Sequence, residues 1–126
     1  HRQEHRGVGG IFFDNLKSHA PELHFAFVEK VAMALSDAYL PILEKRKDHP
    51  YEENHKAWQE VRRGRYVEFN LVYDRGTRFG LNTGGRIESI LMSLPLKARW
   101  EYQHLPAPGS HEEKTLETLK KPKDWI

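Results

Sequence analysis

The sequence predicts an α+β domain, and three observations carry that expectation. Apolar residues recur at helical spacing across residues 22–48, apolar and polar residues alternate across 65–82, and the two patterns come in blocks. Helices packed on an antiparallel sheet fit such an order, because each layer buries the apolar face of the other. With 126 residues, 38% of them hydrophobic and 30% charged, the chain holds one domain with a core rather than two.

The elements follow in chain order. "GVGGIFFDNL" reads as a glycine loop leading into a short buried strand at 11–13, ended by Asp14 and Asn15. Ser18 offers a helix cap, Pro21 suits a first helical turn, and Glu22 favours the positive end of the helix dipole. Phe25, Val28, Ala32, Leu35, Tyr39 and Ile42 then fall on one helical face, which Phe27, Val31, Ala34 and Ala38 widen. Such a helix expects cover on more than one side, and Pro41 expects to kink it or split it near Leu40. "EENHKAWQEVRRG" is a second, more polar helix with Trp58 and Val61 inward and Gly64 as its stop. "RYVEFNLVYD" alternates, "DRGT" is a turn, and "TRFGLN" alternates again, which predicts an antiparallel hairpin. "TGGR" breaks the second strand, "IESILMS" is a short helix, and "KARWEYQH" is a third strand. The tail is a proline-rich loop, a short amphipathic helix, and an apolar end at Trp125 and Ile126.

Several function classes lose ground on composition alone. A formal net charge of +2 is too small to mark a nucleic-acid binder. No apolar run approaches the roughly 20 residues that span a bilayer, and no secretory signal pattern is present. Without cysteine there are no disulfides, thiolate zinc sites or thiol nucleophile, which fits a reducing compartment. The chain enters a glycine-rich, strand-like segment almost at once, so it is expected to be part of something longer.

Two kinds of residue remain as carriers of chemistry. The eight histidines show no metal-binding pair at helical spacing: His1 and His5 lie beside glycines, and His19, His49, His55 and His111 read as solvated. Residues 63–95 carry five arginines, among which "NTGGR" resembles an anion cradle: bare backbone amides at Gly84 and Gly85, with Arg86 beyond. Arg78 and Asn82 share one face of the segment leading into it, and guanidinium forks bind carboxylates or phosphates in a bidentate way. The structural alternative pairs Arg75 and Arg78 with Glu68 and Glu88, and Arg86 with Glu88 or Asp74. On residues alone the protein is an anion-binding α+β domain.

The segments "HRQEHRGVGGIFFDNL", "DAYLPILEKRK", "RRGRYVEFNLVYDRGTRFGLNTGGRIESILMSLPLKARWEY" and "DWI" resemble the carboxyl-terminal part of oxygen-dependent coproporphyrinogen III oxidases. The resemblance runs over essentially all of the chain and is weakest at 17–35 and 103–120, where only the apolar pattern is similar. It implies that residues 1–126 are the carboxyl-terminal part of a single oxidase domain, with a large flat antiparallel sheet flanked by helices on both faces. It implies the oxidative decarboxylation of two propionates of coproporphyrinogen III to vinyl groups in haem biosynthesis. Molecular oxygen is then the co-substrate, no organic cofactor is required, and a metal requirement is open.

Residue by residue, the resemblance gives Gly84, Gly85 and Arg86 a substrate-binding role and makes His1 a candidate metal ligand. It places the family's acid and base groups upstream, so none is expected within this segment. It also implies a homodimer whose interface includes the segment 66–101, which opens at Tyr66 and closes at Glu101. A cytoplasmic location is expected, with a mitochondrial one as the alternative. The rival class is a non-catalytic binding module for a multiply anionic ligand, a tetrapyrrole or a nucleic acid.

Overall fold

The computed structural model describes residues 2–5, 7, 11, 13, 15–17 and 19–121. Among these residues the chain forms helices α1 (Pro21–Arg46), α2 (Glu53–Val72), α3 (Arg75–Asn82), α4 (Ile87–Leu91) and α5 (His111–Lys120). No strand occurs among them. The expected α+β class, with its large flat antiparallel sheet, is therefore overturned. His1, Phe12 within the expected strand at 11–13, Ser18, Trp125 and Ile126 lie outside the described residues, while Ile11 and Phe13 belong to no strand.

The chain divides into two units, residues 10–51 and residues 1–9 with 52–126. In the first, α1 starts as expected at Pro21, but with Ala20 rather than a hydroxyl side chain at its cap. The helix runs on through Pro41 as one element instead of splitting. Phe13 lies against it at Phe27, with ring centroids 5.2 Å apart and the rings tilted 58° to each other. No residue of α1 is buried, so the cover expected on more than one side is absent among the described residues.

The second unit shows why the hairpin expectation failed. Helix α2 does not stop at Gly64. It passes through, because Gly64 is where the 97–104 segment lies against the helix: an added Cβ would sit 2.5 Å from the Arg99 carbonyl oxygen. The Arg99 N–H donates to the Glu60 carbonyl at 3.0 Å, so "KARWEYQH" docks on a helix instead of joining a sheet. The inner stripe of α2 is Val61, Gly64, Arg65 and Glu68, at helical spacing. Two of those four carry charge, and a search for apolar periodicity passes over them.

The expected turn "DRGT" is a helix start. The Asp74 carboxylate accepts from the Thr77 N–H at 2.9 Å, capping α3. The short helix expected after "TGGR" forms as α4, and the tail helix forms as α5. Ser110 caps α5 by accepting from the Glu113 N–H at 3.1 Å, and the Glu113 carboxylate accepts from the Gly109 N–H at 2.6 Å. His5 N–H donates to the Leu119 carbonyl at 2.9 Å, tying the amino-terminal residues to α5. Val61 and Leu119 are the buried apolar residues among those described, a small core for this length.

Candidate functional site

The 83–86 connection between α3 and α4 holds the three residues singled out for substrate binding. Gly84 has φ +72°, the left-handed conformation that ends a helix and that side chains resist. The Gly85 N–H donates to the Gly80 carbonyl at 2.8 Å, which closes the last turn of α3 in a Schellman pattern. A Cβ at Gly85 would meet that same carbonyl at 2.8 Å and Ile90 Cδ1 at 3.1 Å. Both glycines thus have a structural reason, and the Gly85 amide is committed to the helix end rather than open to an anion.

Arg86 is different. It stands at the start of α4, exposed, and its side chain makes no cap hydrogen bond. It forms no ion pair with the described residues, so neither Glu88 nor Asp74 holds it. Arg75 and Arg78 are exposed and equally unpaired among the described residues, and Glu68 is engaged elsewhere. Arg78 and Asn82 keep one face although the segment is helical, because a spacing of four suits both a period of 2 and a period of 3.6. Phe79 changes sides. The helix brings it beside Arg75 and Asn82, about one turn away on either side and 70% exposed, where a strand would have turned it away from Asn82. The surface of α3 and its exit loop thus carries three exposed arginines and an exposed aromatic ring.

A second charged group of residues went unnoticed in the sequence, since its members lie far apart in the chain. Arg2 binds Glu68 through two nitrogens, Nε at 2.6 Å and Nη2 at 2.7 Å. Arg65 donates to Glu68 at 3.1 Å and lies 3.7 Å from Glu4, which also pairs with Arg62 at 2.9 Å. The Arg62 guanidinium lies 5.7 Å from the centroid of the Trp58 ring. The Arg2 hydrogen bond holds the Glu68 carboxyl below the usual carboxylate range, against the opposing effect of burial and with help from the Arg2 and Arg65 charges. The same bond raises Arg2.

The histidines divide as composition suggested. His19, His49, His55 and His111 are exposed. His55 also accepts at Nδ1 from the Glu52 N–H at 2.9 Å, at the start of α2. Among the described residues no three of His, Asp and Glu gather as metal ligands. The candidate ligand His1 lies outside them.

Comparison with known proteins adds what geometry alone does not. The family model described as Coproporphyrinogen III oxidase matches residues 1–125. The chain belongs to the coproporphyrinogen III oxidase family. It is 62% identical over 126 residues to the chloroplastic oxygen-dependent coproporphyrinogen-III oxidase of Glycine max, covering all of this chain and 33% of the relative. The mitochondrial enzyme of Rattus norvegicus is 60% identical over 127 residues, 29% of its length, and the oxygen-dependent coproporphyrinogen-III oxidase of Drosophila melanogaster is 57% identical over 127 residues, 33% of its length. The chain thus spans about a third of the length of the curated relatives it matches. The plant and rat names carry chloroplastic and mitochondrial locations, so the cytoplasmic expectation finds no support there. Among the described residues of this family member, no helix is long and apolar enough to cross a membrane.

Proposed function

We propose that the protein carrying these residues is an oxygen-dependent coproporphyrinogen III oxidase of haem biosynthesis, located in a plastid or mitochondrion. The observation that supports this most is the family match across residues 1–125, with relatives at 57–62% identity named as that oxidase. The names favour an oxidase over a binding module without catalysis.

The substrate class sets clear demands. Each propionate loses its carboxylate as carbon dioxide, and the electron pair of the broken bond forms the vinyl double bond. The neighbouring carbon gives up a hydride equivalent, and oxygen takes the two electrons and ends as hydrogen peroxide. Molecular oxygen is the co-substrate and no organic cofactor is needed. The segment's own part is binding: Arg86 grips one propionate, and the Gly84–Gly85 turn sets the position of that arginine. An exposed, unpaired guanidinium beside apolar surface suits an anion hung on a macrocycle of pyrrole rings. The complete protein acts as a homodimer through the 66–101 segment, a reading supported by exposed apolar side chains there, with Met92 80% and Leu96 99% exposed.

The test is direct. The complete protein is incubated with coproporphyrinogen III under air, and the products are oxidised to porphyrins and separated. This reading expects protoporphyrin, with two molecules of oxygen consumed and two of carbon dioxide released for each. Unchanged coproporphyrin as the sole product would overturn it.

A further inference from the structure

We propose that the cleft beside Trp58 binds a small carboxylate carried on a planar apolar ring. The cleft measures about 320 Å³ and is lined by Arg2, Trp58, Arg62, Arg65, His104 and Lys120, among others. That is the small end of the roughly 300–1,000 Å³ typical of ligand pockets, enough for one ring with a side arm and too little for a four-ring macrocycle.

Charge sets the anionic part. Four fixed cations, Arg2, Arg62, Arg65 and Lys120, surround the cleft, against the carboxylates of Glu4 and Glu68 bonded to them and that of Glu101, 2.6 Å from His104 Nδ1. Lys120 is exposed and forms no ion pair with the described residues. Arg65 and Glu4 are only 9% and 8% exposed, so this positive excess is held in a partly dry setting where screening is weak. A further carboxylate lowers the repulsion among the cations, and the Lys120 ammonium offers it donors.

The walls set the rest of the ligand. Val61, Leu105 and Leu116 give apolar sides, and the Trp58 indole lies among them with the His104 ring 5.7 Å away at a 31° tilt. An anion as bare as phosphate would leave those walls wet, whereas a flat ring covers them and extends the stack of guanidinium, indole and imidazole. No residue of the 84–86 loop lines this cleft. The inference therefore stands apart from the proposed activity, and either can fail alone.

Calorimetry on the complete protein tests it, with 3-phenylpropionate as the probe, propionate and 3-phenylpropan-1-ol as its separated features, and inorganic phosphate as a bare anion. The expected result is binding of 3-phenylpropionate at least about tenfold tighter than any of the three, one decade in dissociation constant. Lys120→Gln, on an exposed side chain, weakens it several-fold, and Trp58→Leu weakens it further, while Arg86→Ala leaves it unchanged. Equal binding of propionate or phosphate would overturn the ring requirement. Loss of binding in Arg86→Ala together with full binding in Lys120→Gln would overturn the site itself.

Discussion

Gly64 shows how one residue is read in two ways. As a helix stop, glycine is wanted for its left-handed freedom, and asparagine is the next best residue there. In the structure Gly64 is inside α2 and is wanted for its missing Cβ, which would meet the Arg99 carbonyl oxygen at 2.5 Å. Alanine in a helix interior normally gains about 1 kcal/mol over glycine, but crowding a backbone carbonyl costs about 1–3 kcal/mol. Crowding wins, so Gly64→Ala lowers the melting temperature of the complete protein, and Gly64→Asn lowers it more. A milder effect of asparagine than of alanine would restore the helix-stop reading. Glu68 gives a pH-dependent counterpart. Its folded carboxyl titrates below its unfolded value of about 4.3, so the stability it adds is present above that value and is lost as pH falls through the folded one. Glu68→Gln should therefore cost about 1–2 kcal/mol at neutral pH, allowing for the exposure of Arg2, and progressively less towards acid. Urea midpoints of both proteins across that range check the sign, and a gap that widened in acid would contradict it.

At the scale of elements, legibility depended on which face carried the apolar residues. The start of α1 at Pro21, α4 and α5 could be read from caps, proline placement and periodicity, since those signals are local. Helix α2 could be read only as far as Gly64, and α3 could not be read at all. The buried residues of α2 are Val61, Gly64, Arg65 and Asn70, with half-buried Glu68 beside them, while exposed Leu71 and Tyr73 helped to imitate a strand alternation. Asp74 is as suitable for a turn as for a cap, and only the Thr77 amide it accepts decides between them. Of the candidate site, Arg78 and Asn82 keep one face under either geometry, whereas the Gly85 amide, expected to face an anion, is taken by the Gly80 carbonyl. The ion group of Arg2, Glu4, Arg62, Arg65 and Glu68 left no local signal, because it joins residues about sixty positions apart. Carbon-13 shifts over 65–82 in the complete protein test the helices. Helical values are expected on both sides of Asp74, and alternating extended values would return the hairpin.

The whole molecule is marked by what it leaves uncovered. Val61 and Leu119 are its buried apolar residues among those described, yet Phe79, Met92 and Leu96 stand in solvent along 66–101. The proposed homodimer would cover such surface, and obligate homodimers bury about 2,000 Å² or more. Light scattering of the complete protein at micromolar concentration should give twice the chain mass, with Leu96→Asp shifting it towards monomer. A monomer in the parent would refute the dimer. The central claim is that Arg86 holds a propionate of the substrate, and KM for coproporphyrinogen III in Arg86→Ala tests it most directly. Because the contact is made both before and during reaction, its loss should raise KM more than it lowers kcat. The expected cost in kcat/KM is about 1.5–3 kcal/mol, the worth of a hydrogen bond to a charged group, with Arg86→Lys recovering only part. An unchanged KM in a folded Arg86→Ala enzyme would contradict the account.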